Sequence, residues 1–169
     1  MGKKSGKAAQ RQDTVLTRSP SHLLHRVLQR ANGIYAEEVG EAGLTQRQFA
    51  LLAAVDTMEQ PSQTDLVHLT GIDRSTLAEL VARLIEKGWL ERGRSTTDGR
   101  AKTVGLTEAG RSMLESVRPR VKAADKRILA LIPKPKRETL TKLLARLADA
   151  PEPEPKRRKP ANAEKGEAT

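Results

Sequence analysis

The chain has 169 residues and carries 31 Lys and Arg against 21 Asp and Glu, which gives a net charge of +10. This length suits one domain with tails, and the basic surplus is typical of proteins that bind a polyanion, either a phosphate backbone or an anionic membrane. The chain contains no cysteine, which excludes disulfides, thiolate metal sites and thiol redox sensing. It also lacks the run of about 18 apolar residues that spans a membrane and the apolar stretch of a signal peptide, so we expect a cytoplasmic protein without a membrane partner.

Composition divides the chain into three parts. Residues 1–17 form a basic arm and residues 151–169 a tail rich in Pro, Lys and Arg, and both are predicted to be disordered. The basic run from Lys156 to Lys159 is either a solvated part of this tail or an auxiliary phosphate contact. Residues 18–150 alone keep a net charge of +6, so the expectation of an anionic partner does not depend on the tails.

Four helices are predicted before residue 88, and each begins with a capping residue. The caps are Ser19 (followed by Pro20), Thr45, Ser62 (with Asp65 three residues on) and Asp73. The first helix is expected to end between Gly40 and Gly43, and the third at Gly71. The apolar residues of the last three helices recur at helical spacing and are expected to be buried: Phe49, Leu52, Val55, Leu66, Val67, Leu69, Leu77, Leu80, Val81, Leu84 and Ile85.

The third and fourth helices, with a Gly-containing turn between them, have the layout of a helix-turn-helix. Two short strands are predicted next, from Trp89 to Arg92 and from Ala101 to Leu106, around a loop that contains Asp98-Gly99. Asp-Gly supplies the positive φ angles of tight hairpin turns. A hairpin directly behind a helix-turn-helix is a wing, which can insert Arg into the minor groove of DNA. The alternative is an ordinary solvated hairpin.

We therefore predict a DNA-binding surface on the helix pair and the hairpin. Its candidate residues are Ser62, Thr64, Arg74, Ser75, Thr76, Arg83, Lys87, Arg92, Asp98, Arg100 and Lys102. Arg74, Ser75 and Thr76 are expected to face the major groove, and Arg100 is expected to enter the minor groove. Asp98 is expected to hold a neighbouring Arg in position.

A long helix is predicted to begin at Thr107 and to kink at Pro119. Its apolar residues follow spacings of three and four, as in a helix–helix seam: Leu114, Val117, Val121, Ala124, Ile128 and Leu131. Pro133 and Pro135 are expected to break the chain before a last amphipathic helix with Leu140, Leu143, Leu144 and Leu147. These helices and the first one offer more apolar surface than a small winged module can cover. We expect them to self-associate, and an intrachain core is the alternative.

These features resemble the MarR family of bacterial transcription regulators over roughly residues 20–150. The matching segments are LTQRQFALL, TDLVHLTGIDRSTLAELVARLIEKGWLER and DGRAKTVGLTEAG. The family's wing residues fall on Arg92, Asp98 and Arg100, and its Leu-Thr-x-x-Gly falls on Leu106, Thr107 and Gly110. Gly99 is a departure, because the family commonly has a basic residue there.

The resemblance implies a mainly α fold with a small β-hairpin, in which a winged helix-turn-helix is joined to a helical dimerisation region. The DNA-binding lobe would cover about residues 44–106, and the dimerisation helices about 19–40 and 107–149. It also implies a homodimer on a pseudo-palindromic operator. Such proteins usually repress a nearby gene and release DNA when a small molecule binds, often an aromatic carboxylate and in some branches an acyl-CoA thioester.

The resemblance places the effector pocket where the lobes meet the dimerisation helices. The candidates by position are His25, Arg26, Gln29, Arg47 and Met58. Arg26 or Arg47 could bind a carboxylate bidentately, and the alternative is that both are ordinary surface charges. His22 and His25 lie three apart on a helix, but the only other His is His68, so no metal site and no cofactor are predicted.

Other functional classes are weaker. The sequence contains no Gly-rich phosphate loop, nucleophile elbow or Ser-His-Asp set, so an enzyme is not predicted. With one Trp, one Tyr and one Phe, the chain lacks the aromatic residues of modules that stack single-stranded bases. The main expectation is a ligand-responsive regulator, most often a repressor, and an activator remains open. The alternative is an architectural protein that binds DNA with little sequence preference and has no effector.

Overall fold

A computed structural model of the protein describes residues 15–40, 43–94 and 102–151. The elements follow in the order α1 (Val15–Arg18), α2 (Pro20–Val39), α3 (Gln46–Thr57), α4 (Gln63–Thr70), α5 (Arg74–Glu86), β1 (Leu90–Arg94), β2 (Lys102–Leu106), α6 (Glu108–Ala130) and α7 (Lys134–Ala148). The predicted mainly α fold with a small antiparallel hairpin is confirmed. None of the helices in these ranges is long and apolar enough to cross a bilayer.

Side-chain caps define where the helices begin. At the start of α3, Thr45 Oγ1 accepts the Gln48 N–H at 3.2 Å, and Gln48 Oε1 accepts the Thr45 N–H at 3.0 Å. The same reciprocal capping box joins Ser62 and Asp65 at the start of α4, and Gly71 ends α4 in the left-handed region with φ of 65°. All five predicted caps are confirmed, namely Ser19, Thr45, Ser62, Asp73 and Thr107.

The core lies between α2, α3, α4, α5, the hairpin and α6. Its most buried large side chains are Leu44, Leu51, Leu52, Leu66, Leu77, Leu84, Leu90 and Leu114. The predicted apolar stripes of α3 and α5 are confirmed. Leu69 is a correction, because it is 57% exposed. The buried side of α4 is centred between Leu66 and Val67, and successive residues rotate by about 100° around a helix, which leaves Leu69 outside that side.

The long helix α6 packs against α2 and runs without interruption from Glu108 to Ala130, with Pro119 inside it. The first four residues of the predicted seam are buried within the single chain: Leu114, Val117, Val121 and Ala124. For these four residues the alternative of an intrachain core applies, because α2 and α3 of the same chain pack against α6. Leu131, at the end of the pattern, is 51% exposed.

Polar contacts fix the second half of α2 on α6 and on the start of α3. Arg127 donates to Glu38 at 2.7 Å and to Glu37 at 2.8 Å, and Arg120 Nη1 donates to the last carbonyl of α2, at Val39, at 3.0 Å. The Tyr35 hydroxyl donates to the Leu44 carbonyl at 3.0 Å. The arginine contacts join residues 81 to 90 positions apart in sequence, so they hold the tertiary arrangement of α2 and α6.

The chain divides after Leu131 into two compact units, and the second contains α7. This helix begins at Lys134, with Pro135 in its first turn. The expectation that Pro135 breaks the chain is wrong, because the first turn of a helix does not need the N–H that Pro lacks. Three of the four predicted apolar residues of α7 are largely exposed, at 58% for Leu143, 45% for Leu144 and 57% for Leu147.

Candidate nucleic-acid interface

The first turn of α5 is held rigidly at the end of the turn that follows α4. The Asp73 carboxylate accepts the Thr76 N–H at 2.9 Å and the Ser75 hydroxyl at 2.7 Å. These hydrogen bonds, that of the Thr76 N–H first, lower the pKa of Asp73 to about 2. The carboxylate is therefore ionised at neutral pH and keeps the helix start in one conformation. Next to it Arg74 is exposed, and it has no ion pair within the described part of the chain.

At the start of α4, one of the two predicted DNA contacts, Ser62, already uses its hydroxyl for hydrogen bonds within the chain. Ser62 donates its hydroxyl to Asp65 at 2.7 Å and accepts the Asp65 N–H at 3.3 Å. The Ser62 hydrogen bonds lower the pKa of Asp65. Thr64, in contrast, is exposed. Of these two candidates, Thr64 is the one whose side chain is available to a partner.

The hairpin is joined to the helix-turn-helix by backbone contacts. β1 and β2 pair in antiparallel register, with Leu90 opposite Leu106 and Arg92 opposite Val104. The Val104 N–H donates to the Pro61 carbonyl at 3.2 Å, and an isolated bridge links Ser62 to Thr103. Because the chain just before α4 thus forms a short third edge of the sheet, the hairpin and the helix pair are held together. Both strands agree with the prediction to within two residues at each end.

The Leu-Thr-x-x-Gly motif fixes the base of the hairpin to α6. The Thr107 hydroxyl donates to the Gly88 carbonyl at 2.6 Å and accepts the Gly110 N–H at 3.0 Å. The Thr107 N–H donates to the Trp89 carbonyl at 3.2 Å. A side chain at position 110 would collide with that carbonyl oxygen, so only glycine permits this close approach.

Two basic candidates lie towards the far end of α5. Arg83 forms an exposed ion pair with Glu79 at 3.5 Å, and the Lys87 ammonium lies 4.7 Å from the centre of the Trp89 ring. At 1.5 Å per residue, Lys87 is about 20 Å along the axis from Arg74. These residues could contact phosphates flanking the bases that Arg74 reaches, but they cannot share a base with it.

Several predicted contacts lie outside the described residues. They are Asp98 and Arg100 at the tip of the hairpin, the side chain of Lys102, and the basic tail from Lys156 to Lys159. Their roles stay predictions. Arg92, on β1, is described and exposed, so it is the hairpin arginine whose surroundings are known.

The five predicted effector residues do not line one cavity. Arg26 and Gln29 line a groove of about 480 Å³ on the first half of α2. Arg47 lines a cavity of about 690 Å³ between α2 and the start of α3. Met58 lines a third, of about 290 Å³, and His25 is exposed on α2. Among the described residues no three His, Asp or Glu side chains come together to hold a metal ion.

The cavity next to Met58 was not predicted, and we call it the wing-base cavity. It lies between the end of α3, the hairpin and the first turn of α6, and its lining includes Asp56, Met58, Arg92 and Arg111. Asp56 accepts hydrogen bonds at 2.6 Å from both Arg111 and Arg118. A single sequence gives no signal for these pairs, because 55 and 62 residues separate the partners.

A helix pair with a fixed, exposed first turn and a hairpin attached to it define a winged helix-turn-helix, the architecture of many DNA-binding proteins. A family model described as MarR family matches residues 42–101, which include the whole helix-turn-helix. This chain belongs to the MarR family of transcription regulators, as its sequence suggested.

Three similar proteins illustrate the family. The HTH-type transcriptional repressor NicR of Pseudomonas putida is 26% identical over 137 residues, which are 81% of this chain and 87% of NicR. BpsR of Bordetella bronchiseptica has a TM-score of 0.75 at 27% identity, over 80% of this chain and 96% of BpsR. The DNA binding of BpsR is regulated by 6-hydroxynicotinic acid. CouR of Rhodococcus jostii RHA1, solved with p-coumaroyl-CoA, has a TM-score of 0.71 at 27% identity over the same shares of the two chains. CouR is a transcriptional repressor that has also been solved on a 23-mer DNA duplex.

Proposed function

We propose that this protein is a cytoplasmic, ligand-responsive repressor that binds a pseudo-palindromic operator as a homodimer. A small aromatic acid or its CoA thioester would release it from DNA. The observation that carries the proposal is the exposed, capped first turn of α5 beside a hairpin that is hydrogen-bonded to the chain before α4 and to the start of α6. The DNA-binding lobe would cover about residues 44–106, and the dimerisation helices about 19–40 and 107–149.

In this proposal the first turn of α5 reads base edges and the hairpin contacts the backbone and the minor groove. Arg74 is exposed and unpaired among the described residues, so its guanidinium can bind a guanine edge bidentately. Arg92, Lys87 and Arg83 would neutralise phosphates, which strengthens binding to any sequence. Arg100 would enter the minor groove, where a narrow groove concentrates negative potential.

A second copy is the proposed partner for the first half of α2. Four large apolar side chains on this half are exposed: Leu23 at 37%, Leu24 at 44%, Val27 at 57% and Leu28 at 55%. A contiguous apolar patch on a protein this polar is typical of a surface that another chain covers. A homodimer would present two copies of α5 to half-sites about 10 base pairs apart.

The first experiment tests sequence reading. An operator would be selected from random-sequence DNA, and binding to it and to scrambled DNA would be measured for wild type, Arg74→Ala and Arg92→Ala. Wild type is expected to prefer the operator by about 10³ or more. Arg74→Ala should lower this ratio by roughly 10- to 100-fold, whereas Arg92→Ala should weaken both DNAs equally and reduce the salt slope by about one.

The control is Lys126→Ala, which removes one positive charge from an exposed position on α6. It should leave the preference for the operator unchanged. If Arg74→Ala weakened operator and scrambled DNA equally, α5 would not be the reading helix. A wild-type ratio near one would instead indicate an architectural DNA-binding protein with little sequence preference.

We infer that the wing-base cavity is the effector site, since a ligand there would contact the hairpin, α3 and α6 at once. Its volume of about 290 Å³ suits the ring of a single-ring acid. Arg92 and Arg111 line it and offer guanidinium groups to a carboxylate. The bulk of a CoA thioester would extend outwards into solvent.

The effector experiment follows release of fluorescent operator DNA by anisotropy while aromatic acids and their CoA thioesters are added. Release by one compound at micromolar concentration would support the sensor proposal. Met58→Trp, which puts a larger side chain into the wing-base cavity, should then abolish release while operator binding persists. If Arg26→Ala or Arg47→Ala abolished release and Met58→Trp did not, the effector site would be the groove on α2 or the cavity at the start of α3.

A further inference from the structure

One carboxylate joins the end of α3 to two arginines of α6 that lie about two turns apart. Asp56, in the last turn of α3, accepts Arg111 Nη1 on Oδ1 and Arg118 Nη2 on Oδ2, both at 2.6 Å. Arg118 also donates from Nε to Glu115 at 2.7 Å. The Asp56 side chain is only 16% exposed. We call these four residues the Asp56 anchor.

The anchor lies where the helix-turn-helix, the hairpin and α6 meet. α3 packs against α4, β2 and α6. The chain passes from β2 to α6 through one residue, Thr107. A shift of the first turns of α6 would therefore move the hairpin directly. The anchor opposes that shift, because both arginines hold α6 to the same point on α3.

Among the described residues, the polar contacts of the hairpin itself do not connect α3 with α6. Thr107 binds carbonyls of Gly88 and Trp89, but these belong to the base of the hairpin itself and move with it. The contacts of Pro61 and Ser62 with β2 lie along one edge of the sheet. Of the polar side-chain contacts within the described ranges, those of Asp56 alone tie α3 to α6.

We propose that Asp56 is a positioning residue for sequence-specific DNA binding, which holds the hairpin at the angle to α5 at which both contact one site. This inference rests on the proposed function as a sequence-specific regulator. Asp56 does not touch DNA in this proposal, and it acts through Arg111 and Arg118. Its loss would leave each DNA-contacting element intact but no longer matched to the spacing of the operator.

Charge alone makes the opposite prediction, which gives the test its power. Asp56→Asn keeps the shape of the side chain and raises the net charge of the protein by one. An added positive charge strengthens binding to any DNA. A positioning role predicts instead that operator binding weakens while binding to scrambled DNA does not.

The matched control is Glu37→Gln. Glu37 also pairs with an arginine of α6, Arg127, at 2.8 Å, and its substitution changes the net charge by the same amount. In this variant Arg127 retains its second partner, Glu38. Glu37 and Arg127 both lie outside the proposed DNA-binding lobe. Both variants are measured as full-length protein at a temperature where circular dichroism shows them fully folded.

Asp56→Asn is expected to lower the ratio of operator to scrambled-DNA affinity about tenfold, since loss of one base contact already costs this much. Glu37→Gln should keep the wild-type ratio. Arg111→Met should reproduce the loss, and the double variant Asp56→Asn with Arg111→Met should lose no more than the single variants. The comparison of the double variant with the single variants is informative even where one variant is less stable. It tests whether the two substitutions lower the affinity ratio through the same contact.

An Asp56→Asn ratio within twofold of wild type would overturn the inference, as would equal losses for Asp56→Asn and Glu37→Gln. Additive losses in the double variant would also overturn it, because Asp56 would then not act through Arg111. These outcomes are distinct from failure of the proposed function, in which wild type itself would bind operator and scrambled DNA equally.

Discussion

The two halves of α2 both carry an apolar stripe and have opposite surroundings. Both halves repeat apolar residues at helical spacing. In the second half Tyr35 and Val39 are 8% and 1% exposed and are held by α6 and the start of α3. In the first half the large apolar residues from Leu23 to Leu28 are 37–57% exposed. One helix therefore belongs to the core at one end and presents an apolar face at the other.

The difference in burial indicates which half of α2 a single chain can stabilise by itself. Burial of an apolar side chain is the main favourable contribution to folding, so the second half of α2 should be stable in a single chain. The first half gains nothing comparable without a partner. We therefore expect substitutions in the two halves to differ in one observable, which is whether their effect depends on protein concentration.

The largest effect is expected in the core cluster to which Tyr35 and Val39 belong. Leu114, on α6, is fully buried, and Leu114→Ala should lower the free energy of unfolding by about 2–5 kcal/mol because it leaves a cavity. Urea unfolding of wild type and variant at two protein concentrations tenfold apart measures this. The loss should be the same at both. A loss that grew on dilution would mean that Leu114 is stabilised by a second chain.

A smaller and different effect is expected in the first half. Val27→Glu should raise the dissociation constant of the proposed dimer at least tenfold, because it removes apolar contact worth about 1.5 kcal/mol or more and leaves a charge in the proposed interface. Sedimentation equilibrium measures the dissociation constant directly. The secondary structure of the dissociated chain should persist.

The matched control is Leu69→Glu, because Leu69 on α4 has the same exposure of 57% as Val27. It introduces the same charge at an apolar position that no partner is proposed to cover, so it should leave the dissociation constant unchanged. Equal weakening by both substitutions would mean that surface charge, and not the face on α2, controls association.

The local structure of this protein could be predicted well from its sequence, because capping residues act over three positions. Thr45 with Gln48 and Ser62 with Asp65 define helix starts by short-range hydrogen bonds. Short-range features also predicted the helix-turn-helix, through its caps and Gly71, and the hairpin, through Asp98-Gly99. Pro135 was misjudged because proline favours the first helical turn as strongly as it disfavours later ones.

Contacts between distant segments could not be predicted in the same way. The repeat from Leu114 to Ala124 indicated a helix–helix seam, but periodicity does not identify the partner, and α2 of the same chain covers it. Asp56 and its arginines lie in separate helices and share no motif. The effector candidates were chosen by position along the chain, and the fold distributes them over different surfaces.

The smallest effect sharpens the comparison within α2 through pH. Tyr35→Phe removes the hydrogen bond to the Leu44 carbonyl and should cost about 1 kcal/mol at pH 7, independent of protein concentration. Burial, with a smaller contribution from the Asp125 carboxylate, raises the pKa of Tyr35 to about 12, against about 10 in the unfolded chain. Below pH 10 the hydroxyl is neutral in both states. Between about pH 10 and pH 12 the Tyr35 hydroxyl ionises in the unfolded state but not in the folded state, so the wild type becomes less stable and the Phe variant does not. Urea unfolding should therefore show that the difference in the free energy of unfolding between the two proteins decreases over this range. Parallel curves up to pH 11 would mean that the Tyr35 hydroxyl is solvated in the folded chain.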